Sequence, residues 1–298
     1  MTDRGDLTRR AAAASVASAT LLLFLKAYAA RATGSVAVLG SLADTGLDLL
    51  SSLVTLYAVW LAAQPADDDH RFGHGKAEAI AALMQTLVIL GSAVAIAVRA
   101  VAEFGNPAVP RRAEVGVGVS VVAAALTLAL VAYQRHVVRQ TQSIAISTDR
   151  VHYESDLLLN LGVIVALALD VWAGLHGADA LFGLLIAGYL AWGAVTSARA
   201  AIDMLMDREW PDDKRRRLLA VVARHPQAGG VHELRTRSSG VTDFIQFHVW
   251  LDPEMSVARA HAIVDEIEAD VASAFPGAEI LIHVDPLGHY DRPQVLSA

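Results

Sequence analysis

The sequence contains no cysteine among its 298 residues. This absence excludes disulfide bonds, thiolate metal sites and redox-active thiols. The formal net charge is −7, and the chain has no stripe of basic residues. Because nucleic-acid binding depends on such basic surfaces, the composition also argues against a nucleic-acid partner.

Long apolar runs dominate the first two thirds of the chain. Hydrophobic residues make up 54% of the sequence, and the mean hydropathy is +0.43. Such a composition is too apolar for an ordinary soluble domain. Each run reaches or approaches the roughly 20 residues that a helix needs to cross a bilayer. We therefore predict a membrane α-helical fold with six transmembrane helices, over residues 12–30, 35–63, 79–102, 115–133, 157–174 and 180–202.

The short loops predict the orientation of these spans. Opposite the N-terminal side, the loops carry only Arg31, Arg111 and Arg112. The basic residues on the N-terminal side are Arg4, Arg9, Arg10, Arg71, Lys76, Arg135, Arg139 and Arg150. Since cytoplasmic loops carry the excess of Lys and Arg, we predict an inner-membrane protein with both termini in the cytoplasm.

The composition changes near the segment MLMDREWPDDKRRR, which contains the breaker Trp210-Pro211. We therefore predict two domains, a transmembrane domain over 1–207 and a cytoplasmic domain over 208–298. The second begins with a helix from Pro211 to about Arg224. Two segments with strand-like alternation, a helix capped by Ser256 and a third strand, EILIHVD, follow. This order predicts a small α+β domain of the ferredoxin-like αββαβ type.

Two carboxylates stand inside the second apolar run, in the segment GSLADTGLDLL. Asp44 lies roughly 13 Å deep at about 1.5 Å per residue. An ionised carboxylate at this depth costs several kcal/mol unless it is solvated or paired. Asp44 and Asp48 are four residues apart, so they share one helix face and repel each other. A shared cation removes both penalties.

A complementary pair, His152 and Asp156, lies at the start of the fifth run, in the segment DRVHYESDLLLN. If the second and fifth helices face each other, three carboxylates and one imidazole converge, a ligand set that suits tetrahedral Zn²⁺. The alternatives are that these groups cap helix ends or line a water-filled vestibule. Lys26, in the first run, is interpreted as a residue that extends towards the far interface, without a role at the site.

Three segments resemble the motifs of a known protein family: GSLADTGLDLLSSL, QPADDDHRFGHGKAEA and HYESD. Set among six apolar runs before an α+β tail, they resemble the cation diffusion facilitator family, most closely its bacterial zinc/iron-efflux branch. The resemblance extends to about residue 285. It implies a homodimer that exports divalent metal from the cytoplasm in exchange for protons. It also implies a transport site made of Asp44, Asp48, His152 and Asp156.

The loop segment DDDHRFGHGK contains a second group of possible ligands, Asp67, His70 and His74. From the residues alone, a solvated polar loop is the better interpretation. The resemblance instead favours a metal site at these three residues, with Asp68 and Asp69 as bystanders. Because three protein ligands leave one position to water, we expect weak, exchangeable binding there.

The tail contains six of the eleven histidines. His283 and Asp285 share a face of one predicted strand, since they are two residues apart. Several histidines on a small sheet with an aspartate favour a metal cluster over ordinary surface histidines. The resemblance implies two metal ions bridged by an aspartate near the dimer interface, with ligands at His232, His248, His261, His283 and Asp285. One departure from the family is Val284, where relatives can carry a polar residue.

The resemblance further implies a charge interlock between the ends of the third and sixth helices, formed by Lys76 and Asp207. This interlock would hold the dimer together where the membrane meets the tail. Two solvated loop charges, worth about 0–1 kcal/mol, are the alternative.

Together these patterns predict a proton-coupled exporter of divalent metal that works by alternating access and catalyses no covalent reaction. Zinc is the expected cargo, and Cd²⁺, Fe²⁺, Co²⁺ and Ni²⁺ remain as alternatives. An imidazole ligand disfavours Mg²⁺ and Ca²⁺, and the absence of thiolates disfavours Cu(I). His152 is the expected proton exchanger, since an imidazole ordinarily titrates near pH 6.5.

Two other classes of protein remain as alternatives. A membrane-anchored metal sensor or buffer explains the tail histidines but not the buried carboxylates. An intramembrane metallohydrolase lacks support, because the sequence has no HExxH motif.

Overall fold

The protein is described by a computed structural model over residues 2–33, 36–105, 114–173, 178–240 and 242–288. The chain divides into two compact units, Met1–Asp203 and Met204–Ala298. Arg111, Arg112 and His289 lie outside the described residues.

The described part of the first unit consists of long helices. These are α1 (Thr2–Thr33), α2 (Val36–Ala62), α3 (Ala77–Gly105), α4 (Glu114–Thr141), α5 (Ile144–Ala173) and α6 (Ala178–Leu205). Five of them, α1, α2, α3, α4 and α6, are long and apolar enough to cross a membrane. The prediction of a membrane α-helical domain is therefore confirmed. The use of α5 as a sixth span stays a prediction, although its 30 residues give it a sufficient length.

Helix α5 is central in this unit, because it contacts α1, α2, α3 and α4. Small side chains allow close packing around its first turns: Ala145 and Ile146 are fully buried in a cluster with Ala11 of α1 and Val137 of α4. On another side, Gly193 of α6 faces α5, and a Cβ atom at this glycine would lie 2.9 Å from Cγ1 of Val151. The start of α5 is therefore enclosed by its neighbours.

The second unit contains α7 (Asp212–Val222), β1 (Val231–Ser238), β2 (Asp243–Leu251), α8 (Val257–Ala274) and β3 (Glu279–Pro286). The predicted order of helices and strands is confirmed. The sheet order is β1-β2-β3, with β1 and β2 antiparallel and β2 and β3 parallel. As predicted, Ser256 caps α8, and its side chain accepts a hydrogen bond from the backbone N–H of Arg259 at 3.3 Å.

The core of the second unit lies between the sheet and its two helices. Ile245, Phe247 and Val249 of β2 pack against Leu218 of α7 and Ile267 of α8. Side chains on a strand alternate between faces, so the intervening residues of β2 point away from these helices. On that other face, His248 of β2 stands in register with His232 of β1 and His283 of β3. The sheet therefore aligns three histidines in one row across its strands.

Candidate metal centre

The structure brings together three of the four predicted transport ligands. Nε2 of His152 on α5 lies 2.9 Å from Oδ1 of Asp48 on α2. Asp48, His152 and Asp156 each present a ligand atom, and these atoms all lie within 4.8 Å of one another. His152 is buried, whereas Asp48 and Asp156 are half-buried. A divalent cation among these three groups would be bound by one imidazole and two carboxylates, a donor set suited to zinc.

Asp44 is placed differently from the other three residues. It lies one turn before Asp48 on α2, its side chain is exposed, and it is not part of the group within 4.8 Å. Its carboxylate nevertheless interacts electrostatically with that of Asp156. The assignment of Asp44 as a fourth ligand stays a prediction.

Beside this site lies a buried set of hydrogen-bonded side chains that we call the polar hub. Asp149 accepts hydrogen bonds from Ser15 Oγ at 2.6 Å, Gln134 Nε2 at 2.7 Å and Gln85 Nε2 at 3.0 Å. The Tyr153 hydroxyl lies 2.7 Å from Ser52 Oγ. None of the six side chains is more than 2% exposed. The hub comprises Ser15 of α1, Ser52 of α2, Gln85 of α3, Gln134 of α4, and Asp149 and Tyr153 of α5.

The sequence reasoning missed the hub, although one signal for it was available. Asp149 precedes His152 by three residues and Asp156 by seven, a spacing that places all three on one side of a helix. The hub joins five helices by directional contacts one turn from His152. It therefore fixes α5, which carries two ligands, against the helices around it.

The structure corrects the interpretation of Lys26. Its ammonium has a partner on a neighbouring helix, since it donates a hydrogen bond to Oγ1 of Thr45 on α2 at 2.6 Å. Thr45 is only 1% exposed and directly follows Asp44. The ammonium also interacts electrostatically with the Asp156 carboxylate. A positive charge is therefore present close to the transport ligands.

The loop between α2 and α3 gathers its three predicted ligands. Asp67 Oδ1 lies 3.3 Å from Nδ1 of His70, and Asp67 Oδ2 lies 3.3 Å from Nε2 of His74. Gly73 adopts a φ of 75°, a left-handed conformation that lets the chain turn between the two histidines. The backbone N–H of His70 donates to the Asp67 carboxylate and so lowers the pKa of this group, against a smaller opposing effect of burial. Asp67 is thus held ionised, as a metal ligand must be.

The sheet of the second unit brings together a third group, His232, His248 and Asp285. Asp285 Oδ2 lies 3.0 Å from Nε2 of His232 and 2.8 Å from Nδ1 of His248, while its Oδ1 lies 3.3 Å from Nε2 of His283. Desolvation raises the pKa of the buried Asp285 carboxyl, but the hydrogen bonds from His248 and His232 outweigh it, so the pKa is lowered overall.

This donor set fits a resident metal ion. Asp285 is ionised, and the His232 ring stacks on Trp250 with 4.0 Å between ring centroids, so its orientation is fixed. Nδ1 of His232 is buried without a hydrogen-bond partner among the described residues. Two imidazoles and a shared carboxylate are the ligand types that Zn²⁺ prefers.

Two other predicted residues lie apart from these groups. His261 is exposed on α8, where it pairs with Asp265 at 3.3 Å, and it does not join the tail group. Asp207 pairs with Nη1 of Arg237 at 3.3 Å. Its predicted interlock with Lys76 stays a prediction.

Comparison with known proteins identifies similar sequences along nearly the whole chain. Residues 12–206 match the cation efflux transmembrane domain, and residues 210–287 match the cytoplasmic domain of cation efflux proteins. The cation-efflux pump FieF of Cronobacter sakazakii is 44% identical over 292 residues, which cover 98% of this chain and 97% of that protein. FieF of Klebsiella pneumoniae is 43% identical over 282 residues, covering 95% and 94% respectively.

Among solved structures, the metal-bound C-terminal domain of the CzcD transporter from Thermotoga maritima is 31% identical to the matching part of this chain. It covers 26% of this chain and 93% of that one, with a TM-score of 0.25.

Proposed function

This chain belongs to the cation efflux family, also called the cation diffusion facilitator family, and we propose that it exports zinc from the cytoplasm in exchange for protons. The observation that carries the proposal is the convergence of Asp48, His152 and Asp156 from α2 and α5. Two carboxylates and a buried imidazole are costly among apolar helices, and a divalent cation bound to all three would offset that cost. Asp44 would complete the site as a fourth ligand.

The chemistry of these ligands would couple the export of metal to the import of protons. Zinc binds a carboxylate and a neutral imidazole only when both have lost their protons, so metal and protons compete for the same atoms. At the cytoplasmic side zinc would occupy the deprotonated site. When the site opens outwards, protons would displace the metal, chiefly at His152, and return inwards with the gradient. The protein makes and breaks no covalent bond in this cycle, so it is a secondary transporter and not an enzyme.

The proposal includes the finer features that the sequence predicts. We place six spans in the inner membrane with both termini in the cytoplasm, followed by a ferredoxin-like domain, in a homodimer that Lys76 and Asp207 help to hold together. In the tail, His232, His248 and Asp285 would hold a zinc ion, with His283 and His261 available to a second one. Such an ion would cross-link strands β1, β2 and β3.

Metal flux into vesicles tests the transport function. Purified protein is reconstituted into liposomes that contain a zinc-sensitive dye, with and without an imposed pH gradient. We expect zinc flux that depends on the gradient, its loss in Asp48→Ala, and its retention in Asp6→Ala, a control that removes an exposed carboxylate of α1. Equal rates in Asp48→Ala and the wild type would contradict the transport site, and flux independent of the gradient would contradict proton coupling.

A membrane-anchored zinc sensor is the second candidate, and the tail group is the observation that favours it. A sensor would bind zinc at Asp285 while its vesicles show no flux. The same experiment therefore separates the two functions.

A further inference from the structure

We propose that Lys26 is an internal counter-cation of the transport site, whose ammonium stabilises the metal-free carboxylates and opposes metal binding. This inference rests on the proposed function and adds a residue that sets the affinity and the speed of the same site. It assigns to α1 a direct electrostatic part in transport, beside the ligands of α2 and α5.

The position of the ammonium supports this role. Lys26 Nζ is hydrogen-bonded to Thr45 Oγ1 at 2.6 Å, and Thr45 is buried between Asp44 and Asp48 on α2. From there its charge acts on Asp156 of α5. A lysine side chain is long enough to reach an interface from within a bilayer, and its ammonium is strongly hydrated. Its bond to Thr45, the residue that follows Asp44, instead places the positive charge beside the carboxylate-bearing part of α2.

A second basic residue close to the site in sequence, Arg150, is engaged elsewhere. It lies two residues before His152, but its Nη1 pairs with Oε1 of Glu154 at 3.4 Å. Asp48 and Asp156 bring two carboxylates to the site, and Asp44 adds a third one turn earlier on α2. Lys26 therefore supplies a positive charge near these acidic groups when no metal is bound.

Two opposite effects on transport follow from this charge. In the metal-bound site, the ammonium repels the divalent cation and so weakens its binding. In the metal-free site, it offsets the negative charge of the carboxylates. Without the ammonium, this charge would be costly within the membrane domain while the empty site returns to its inward-facing state. Removal of the charge should therefore lower KM and also lower the maximal rate. A merely structural residue would not lower KM.

The absence of native cysteine makes a direct test of the charge possible. We compare zinc flux in vesicles for the wild type, K26Q, K26R and K26C. The thiol of K26C is also alkylated with 2-bromoethylamine, which forms a thioether and restores a side chain with the length and charge of lysine. Wild-type protein treated with the same reagent is the control for modification at other groups, and mass spectrometry measures the extent of alkylation.

We expect K26Q and unmodified K26C to show a KM about tenfold lower than the wild type, together with a lower maximal rate. K26R and alkylated K26C should return KM towards the wild-type value. An unchanged or raised KM in K26Q would overturn the proposal, and so would a K26R variant that behaves like K26Q.

Calorimetric titration of zinc into the detergent-solubilised full-length protein measures the same affinity without transport. The binding that disappears in Asp48→Ala identifies the transport site among the metal sites. Tighter binding in K26Q at this site supports the counter-cation, and equal binding overturns it, even if vesicles show no zinc flux and the proposed function fails.

Discussion

Replacement of Asp149 by alanine should destabilise the membrane domain strongly. The substitution removes three hydrogen bonds, to Ser15, Gln85 and Gln134, and leaves their donors buried. A hydrogen bond between membrane helices contributes about 0.6 kcal/mol on average and at most about 1.7 kcal/mol. A buried donor left without any partner would add about 1–3 kcal/mol. Each of these donors keeps a second acceptor, however: Ala11 O for Ser15 Oγ at 3.2 Å, Ser15 Oγ for Gln134 Nε2 at 3.0 Å and Ser51 Oγ for Gln85 Nε2 at 3.5 Å. The desolvation cost of the three donors together is therefore only about 1 kcal/mol. We therefore expect a loss of about 3 kcal/mol.

Thermal unfolding in detergent measures this loss. For a domain of this size, about 1 kcal/mol corresponds to roughly 2–4 °C, so the melting temperature should fall by about 6–12 °C. Asp6→Ala is the matched control, because Asp6 forms an exposed ion pair with Arg9 that is worth about 0–1 kcal/mol. A melting temperature of Asp149→Ala within about 2 °C of the wild type would show that the desolvation cost of the buried carboxyl cancels its hydrogen bonds, and would refute this reasoning.

Three further predictions concern the metal sites. His152→Asp should let Mn²⁺ compete better with Zn²⁺ in flux assays, since an all-oxygen site is harder; an unchanged metal profile would place selectivity elsewhere. His74→Ala should remove zinc binding at the loop, measured by calorimetry, while at least about half of the flux remains, and loss of flux would put the loop on the metal path. The lowered pKa of Asp285 means that its ionised form stabilises the metal-free tail above about pH 4, a contribution lost as the pH falls through the folded-state pKa. With a chelator present, the melting temperature of fragment 208–298 should therefore depend less on pH below about pH 4 in Asp285→Asn than in the wild type. An unchanged pH dependence would contradict the ion pairs of Asp285.

Local patterns predicted most of the fold and the central residues of two of the three groups of possible ligands, whereas the loop group of Asp67, His70 and His74 came from the family resemblance. Runs of apolar residues identified the helices because the length of a span follows from the thickness of the bilayer. His152 and Asp156 could be paired by spacing, since residues four apart share a helix face. Alternation placed His283 and Asp285 on one face of β3, and the structure places both beside each other.

Such local patterns could not predict contacts between segments that are distant in the sequence. Ser15 and Asp149 are separated by 134 positions, and no local period links them. Lys26 was misinterpreted because its sequence position is compatible both with an interface and with a neighbouring helix. The metal-binding role of His261, assigned by resemblance, stays a prediction, and in the structure His261 pairs with Asp265 on α8. Such placements depend on which helix faces lie opposite each other, which the sequence of one element does not specify.

The polar hub also has a consequence for the biosynthesis of the protein. Its members come from α1 through α5, so the ribosome must complete most of the membrane domain before Asp149 can meet Ser15. Until then, Gln85 and Gln134 must enter the bilayer with amide groups that lack their final acceptor. The arrival of α5 therefore completes the hydrogen bonds of the hub in a late step.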